Sequence, residues 1–436
     1  EEMSGFLGNF KAKIRKKSRG VDESLCTGCG ICQEKCPAKV PSEYDEKMGY
    51  RKAIYTLFPQ AVPNIPVIDR ANCLYITKGK CGVCKKVCTA GAIDYERGDE
   101  FIEEEVGAIV VANGFDPYDP TSKEEYGFGI YKNVITGLQL ERLLHSAGPT
   151  KGEVKRPSDG AVPKRLAFVQ CVGSRDERTN KYCSRVCCMY AIKNALLIKQ
   201  NNPENKIFLY YIDIRAFGKG YEEFYKRAQE LGIRFVRGRV AEIFEERNGN
   251  LVIHADDTLL GITTENEVDM VVLSVGMTPR FDSSKLQKML GLGTSPDGFF
   301  MEAHAKLRPV ETLVDGVFLA GTAQGPKDIP DAVAHAKGAA SSALGVVSKK
   351  TLELSPMISE VDEMLCRGCG RCKEACEYKA IELKEIRTGI LVSHVNEVQC
   401  KGCGSCSVVC TSGAITMKHF TNRQIFAMIE AAMGAA

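Results

Sequence analysis

Cysteine spacing constrains this chain more than any other feature. Sixteen of its 20 cysteines fall into four runs: Cys26, Cys29, Cys32 and Cys36; Cys73, Cys81, Cys84 and Cys88; Cys366, Cys369, Cys372 and Cys376; Cys400, Cys403, Cys406 and Cys410. The other four, Cys171, Cys183, Cys187 and Cys188, share the stretch 171–193, CVGSRDERTNKYCSRVCCMYAIK. A secreted disulfide scaffold is short and loop-rich. This chain has 436 residues, with ordinary helical and strand runs. Reduced thiolates that bind metal in an anaerobic cytoplasm fit better.

The spacing then narrows the metal. Cys26-x2-Cys29-x2-Cys32-x3-Cys36-Pro37 is the bacterial two-cluster ferredoxin run, in which the fourth cysteine binds the other cluster. Zinc sites use paired CxxC units instead. In the second run the first ligand is displaced upstream to Cys73, and Lys78 stands at the regular position. Crossed ligation predicts four [4Fe–4S] sets: Cys26, Cys29, Cys32 with Cys88; Cys73, Cys81, Cys84 with Cys36; Cys366, Cys369, Cys372 with Cys410; and Cys400, Cys403, Cys406 with Cys376. Residues 21–98 and 353–418 thus form two ferredoxin-like α+β modules, the second an internal repeat of the first. Glu377 and Thr411 replace the proline after the last ligand, which changes a turn and leaves the ligands intact. The spacer 37–72 reads as loop and short strands. Each module closes its own set of eight, so Cys171, Cys183, Cys187 and Cys188 make a fifth cluster set.

Residues 99–352 carry α/β patterning. Leu166–Gln170 reads as a buried strand. The turn after it is where a dinucleotide oxidoreductase places G-x-G-x-x-G. Here that turn has one glycine, Gly173, and begins with Cys171. A helix from Ser184 to about Lys199 puts Cys183 and Cys187 at i,i+4 on one face, with Cys188 turned toward the same site. A cluster is therefore expected where a nicotinamide nucleotide would bind. Three strand–glycine elements frame the lobe: a buried strand Val106–Gly114, then Val271–Pro279 around Gly276, then Asp315–Thr322 around Gly321. The last runs into a helix with Pro330 at its start.

These three elements, in this order, resemble the two-domain disulfide reductase flavoproteins such as thioredoxin reductase. The resemblance implies an α/β FAD core, whose helix after Gly321 aims its positive end at reduced flavin. It places Ala112, Asn113, Gly114, Gly276, Gly321, Thr322, Asp328, Ile329, Pro330, Asp331 and Ala332 at the cofactor. Thr322 stands where that family usually has Asp; a hydroxyl bonds more weakly than a charge-assisted pair. Residues 1–20 alternate Phe10, Ala12 and Ile14 with Lys11, Lys13 and Arg15, a half-exposed strand at the end of a first FAD segment. The FAD pyrophosphate loop is not found, since Gly291-Leu-Gly293 has other spacing and context. It is expected upstream of residue 1 or on another chain, in keeping with a start that lacks Met and falls in mid-pattern. The former NAD(P) lobe spans about 160–300.

FVQCVGSRDE at 168–177, YCSRVCCMYAIKNA at 182–195 and GPKDIPDAVAHA at 325–336 add a second resemblance, to the A subunit of heterodisulfide reductase. Full-length members also have an N-terminal cluster domain and the first FAD half. The resemblance implies flavin-based electron bifurcation with five [4Fe–4S] clusters and FAD. The donor is a hydrogenase or formate dehydrogenase with its small electron-transfer subunit; the acceptors are ferredoxin and the CoM-S-S-CoB-reducing subunit. The B and C subunits of heterodisulfide reductase are the partners, in a complex that forms a dimer. Residues 21–98 then serve ferredoxin and the C-terminal module serves the donor.

Lys193 lies five residues after Cys188. It reads either as a cation that stabilises anionic reduced flavin, with Glu141 as counter-charge, or as a lysine snorkelling from a helix edge. All six histidines are isolated and read as structural or surface. Net charge is only +3, which suggests no nucleic-acid partner. No apolar run approaches the ~20 residues of a membrane span, and EEMSGFLGNF is not a signal peptide. Phe420–Met433, in the tail 419–436, reads as an amphipathic helix that docks on this chain's own surface or on a partner. Two other functions compete. An FAD-dependent NAD(P)H:ferredoxin oxidoreductase would need a phosphate-binding glycine loop after the 166–170 strand. A non-catalytic polyferredoxin scaffold would bind no flavin.

Overall fold

The structure is a computed structural model that describes residues 1–349, 351 and 355–434. Its centre is a five-stranded parallel sheet in the spatial order Val134–Thr136, Met270–Val275, Arg165–Val172, Lys206–Tyr211, Arg234–Arg237. Strands buried on both faces read as near-continuous apolar runs, as Leu166–Val169 does and as Met270–Val275 does but for the buried Ser274. The helices Gly137–Leu144, Cys187–Asn201 and Tyr221–Glu230 contribute to the core on one face, around Leu140, Phe168, Ile192, Leu209 and Val272. The antiparallel sheet Val240–Glu245, Leu251–Asp257, Ile262–Val268 covers the other, around Val169, Tyr210, Ile253 and Leu273. Each fully buried Leu, Ile or Phe stabilises these layers by about 1.5–3 kcal/mol.

The first 20 residues form a hairpin, Glu2–Phe6 and Asn9–Lys16, and Glu100–Val106 adds a third antiparallel strand. Lys16 faces Glu100 across that ladder. The first cysteine module therefore leaves and re-enters the sheet at one pair of facing residues. The basic side chains of the second strand are solvated; Lys11 pairs with Glu105 at 2.9 Å in open solvent. The expected buried strand Val106–Gly114 is not a single strand. It divides into Glu100–Val106 and Ile109–Val111, and Val110 is exposed. Among the described residues Ile109–Val111 pairs with the short strand Val317–Leu319 alone, and Val317, Phe318 and Leu319 are all buried.

The two modules repeat one local geometry. A short helix begins one residue before the third cysteine of each run: Ile31–Lys35, Val83–Val87, Arg371–Glu374 and Ser405–Val408. Each follows a left-handed glycine, Gly30, Gly82, Gly370 and Gly404, with φ of 78°, 90°, 80° and 79°. Glycine is the residue that takes this conformation without a Cβ penalty. At the chain's end, helix Asn422–Gly434 has no buried residue. Ile425, Phe426, Met428, Ile429 and Met433 are all exposed, so this helix does not dock on the chain's own surface.

Candidate cluster and flavin sites

In the first module folding brings the cysteines together in crossed sets. Cys26, Cys29, Cys32 and Cys88 line one cavity with Val21, Pro66 and Ile93. Cys36, Cys73, Cys81 and Cys84 line another with Ile54, Ile68 and Tyr95. The long Cys73–Cys81 spacer is a one-turn helix, Leu74–Lys78, stopped by left-handed Gly79. That turn carries Lys78 away and returns the chain at Cys81. In the C-terminal module, burial pushes the Cys406 thiol up, and Cys400, Cys403 and Cys376 add to the shift. Ser393 touches both Cys366 and Cys372.

The donor chemistry fits iron–sulfur clusters. Burial pushes the Cys32 thiol up to about 11, so thiolates here call for a compensating positive charge, which a metal centre supplies. A single tetrahedral zinc holds its sulfurs at about 2.3 Å from the ion. Among the described residues no group of three or more His, Cys, Asp or Glu side chains is arranged to hold a single metal ion.

The fifth set is built differently. The strand Arg165–Val172 breaks register between Val169 and Val172, and Cys171 takes a φ of +60°. Burial pushes its thiol up to about 11, with Cys188 and Cys183 contributing. The Cys187 thiol is pushed up by burial and then by Cys171, Cys188 and Cys183. These four side chains therefore share one site, in which Cys187 and Cys188 are buried and Cys171 and Cys183 partly exposed. Cys183, however, is not on the helix. The helix begins at Cys187, and the i,i+4 expectation is corrected. Two residues break it: Arg185 sits at φ +64°, and buried Ser184 accepts a hydrogen bond from the Met277 N–H at 2.9 Å. Gly276 allows that crossing, because a Cβ there would lie 2.7 Å from Ser184 Oγ and 3.1 Å from Ser174 Cβ. Its observed part is thus to seat the cysteine loop.

The same turn is bridged by an ion pair. Arg175 donates two bonds to Asp213, at 2.7 and 2.8 Å, and holds that carboxylate below its usual range. Asp213 follows the second strand of the lobe, the region from which a Rossmann acid reads ribose. Here it is already paired.

On the flavin side, Asn113 Nδ2 donates to Ser283 Oγ at 2.9 Å, while its buried Oδ1 has no partner. An orphaned buried acceptor of this kind fits a bound group that carries hydroxyl or N–H donors. Ala112 and Gly114 flank it, the latter at φ +84°. Gly321 N–H donates to His335 Nδ1 at 3.0 Å, and His335 Nε2 lies 3.2 Å from Pro309 O. The pairing selects the neutral tautomer with its proton on Nε2. Thr322 lies in the short turn Gly321–Ala323. Asp328 caps the helix Ile329–Val347 by accepting from Asp331 N at 2.9 Å, and Asp331 binds Arg185 at 2.7 Å. Both carboxylates are thus engaged by the protein, while Ile329 is open to solvent. Pro330 and Ala332 complete the first turn. Lys193 and Glu141 form an ion pair between the helices Cys187–Asn201 and Gly137–Leu144.

Sequence reasoning missed Arg185, Ser184 and Arg175, and it read His335 as merely structural. Arg185 joins the cysteine loop to the Ile329–Val347 helix and packs over Phe217 at 5.0 Å. The available signal was its place between Cys183 and Cys187.

Two family models match this chain. The 4Fe-4S dicluster domain matches residues 365–414 and the 4Fe-4S binding domain matches residues 20–42. The A subunit of the H(2):CoB-CoM heterodisulfide,ferredoxin reductase of Methanothermobacter thermautotrophicus is 54% identical over 435 residues, which is 99% of this chain. The chain is a homologue of the heterodisulfide reductase A subunit. It spans 64% of that relative's length. In Methanopyrus kandleri, the second iron-sulfur A subunit of the CoB--CoM heterodisulfide reductase is 56% identical over 88% of this chain and 58% of its own length. In Methanococcus maripaludis, the A subunit of the H(2)/formate:CoB-CoM heterodisulfide,ferredoxin reductase is 49% identical over the same shares. Among solved structures, thioredoxin reductase of Lactococcus lactis matches at 16% identity, covering 68% of this chain and 86% of its own, with a TM-score of 0.36. That of T. acidophilum matches at 15%, covering 57% and 68%, with a TM-score of 0.35.

Proposed function

We propose that this homologue of the heterodisulfide reductase A subunit is the flavin- and iron–sulfur-containing oxidoreductase component of an electron-bifurcating complex. It works with the B and C subunits and with the small electron-transfer subunit of a hydrogenase or formate dehydrogenase. Its outlets are ferredoxin and the CoM-S-S-CoB-reducing subunit. The whole complex is a cytoplasmic dimer. Among the described residues no helix is long and apolar enough to cross a membrane. Bound FAD supplies exchange between two-electron and one-electron chemistry, and five [4Fe–4S] clusters supply one-electron relay.

One observation carries the reading. Cys171, Cys183, Cys187 and Cys188 converge where a dinucleotide loop belongs, and the neighbouring ribose-reading position is neutralised by Arg175. The chain's own residues then divide the work. Arg185 and Asp331 fix the cysteine loop against the Ile329–Val347 helix. His335 orients the Gly321 N–H, and Asn113 offers a buried acceptor. Lys193, paired with Glu141, supplies a cation that tunes the reduced cofactor. The apolar lining of the module cavities, with Ile54, Ile68 and Ile93, keeps water from the buried thiolates.

The test is anaerobic isolation of the native complex, with FAD and iron quantified and co-purifying subunits identified. Ferredoxin reduction coupled obligatorily to heterodisulfide reduction is expected. Rapid NADH oxidation with ferredoxin would instead support a pyridine-nucleotide reductase, and absence of flavin would leave only a polyferredoxin scaffold.

A further inference from the structure

Four cysteines hold equivalent places in the ferredoxin-type sites, each the third of its run. Three of them meet a side-chain hydroxyl. Ser359 Oγ lies 3.0 Å from Cys406 Sγ, Ser393 Oγ lies 3.0 Å from Cys372 Sγ, and Tyr95 Oη lies 3.0 Å from Cys84 Sγ. Against thiolate sulfur each hydroxyl is the donor. The two serines also donate their backbone N–H groups, to Cys400 at 3.4 Å and to Cys366 at 3.3 Å. Cys32 has no side-chain donor among the described residues.

The repeat explains the difference. Ser359 and Ser393 each stand seven residues before the first cysteine of a run, Cys366 and Cys400, and each serves the site of the other run. The matching positions before Cys26 and Cys73 are Arg19 and Pro66. Tyr95 takes over the serine's part at Cys84. Pro66 lines the Cys26, Cys29, Cys32, Cys88 cavity, and proline has neither a hydroxyl nor an N–H to give. Solvent access does not separate the Cys32 site from those of Cys372 and Cys406, since each has one exposed and one buried cysteine, whereas the Cys84 site has three buried, Cys36, Cys73 and Cys84.

Hydrogen bonds to cluster sulfurs favour the reduced, more negative state and so raise the reduction potential. We infer that Ser359, Ser393 and Tyr95 grade the four sites, and that Pro66 leaves the Cys26, Cys29, Cys32, Cys88 site the lowest in potential. The inference rests on the reading that these sites hold [4Fe–4S] clusters. A site lacking both donors suits an outlet to a strongly reducing one-electron carrier such as ferredoxin.

The experiment is an anaerobic redox titration, followed by electron paramagnetic resonance, of the cluster-loaded protein and its variants, with iron measured in each. Ser393→Ala should disfavour reduction of one cluster about tenfold, a fall of about 59 mV for one electron, with iron unchanged. Ser393→Thr, which keeps the hydroxyl, should restore the wild-type value. Pro66→Ser should raise the lowest potential by a similar factor. Should Ser393→Ala lose iron, Pro66→Ser decides the matter, because it adds donors and removes none. A lowest potential unmoved by Pro66→Ser, with iron retained, overturns the grading. Wild-type protein that carries no iron overturns instead the cluster reading beneath it.

Discussion

Ser184→Ala isolates what holds the fifth cysteine set in shape. The Ser184 hydroxyl is fully buried, and its oxygen accepts the Met277 N–H at 2.9 Å. Removing that oxygen leaves a buried backbone donor without a partner, which costs about 1–3 kcal/mol. No rearrangement of the loop supplies a substitute easily, because Gly276 already lies in close contact with Ser184 and Ser174. The loss is local, so global melting of a chain with several domains is a poor reporter. Amide hydrogen exchange in the peptide spanning 270–279 is the better one. A loss of that size predicts roughly 5- to 150-fold faster exchange there, with the two ferredoxin modules unchanged. Iron should also fall by the share of one cluster. If exchange at 270–279 and iron content both match the wild type, the Ser184–Met277 bond does not hold the loop, and this account of the broken helix is wrong.

Other substitutions probe the neighbouring links. Arg185→Gln breaks a pair whose side chains are 38% and 45% exposed, so stability should change by no more than about 1 kcal/mol. Electron exchange between the fifth site and the flavin, followed by stopped-flow absorbance, should nonetheless slow several-fold. Gly173→Ala would place a Cβ 2.1 Å from the Tyr118 ring at a φ of +73°. It should destabilise the lobe by well over about 1 kcal/mol in denaturant titration, and adding Tyr118→Ala should recover part of that loss. Burial holds His335 below the ordinary histidine value. The unfolded chain therefore takes up that proton first, and its contribution to stability, intact above about pH 6.5, is lost as pH falls below it. His335→Gln should flatten that part of a melting-temperature profile.

The ferredoxin modules were legible because their ligands are local. Once Cys26, Cys29 and Cys32 share one turn and a short helix, little freedom remains. The parallel strands were legible because Leu166–Val169 is apolar throughout and Met270–Val275 is apolar except for Ser274, as burial on both faces favours. The break before Cys187 was not legible. Apolar spacing continues through Val186, and what stops the helix is a left-handed Arg185 together with a hydrogen bond to Met277, a residue far along the chain. Val110 misled in the opposite way, since its run is apolar while its side chain is exposed. The tie between Arg185 and Asp331 joins residues 146 apart in sequence and has no local signature.

The facing of Lys16 and Glu100 across one ladder has a genetic meaning. The whole first cysteine module stands where an ordinary hairpin turn would stand. Its ends are held at the separation of adjacent strands, about 4.7–4.9 Å. Closure entropy grows only slowly with loop length, so the sheet tolerates a folded domain in that place nearly as well as a long loop. A single insertion or deletion here adds, exchanges or removes a whole cysteine module without shifting the register of any strand around it.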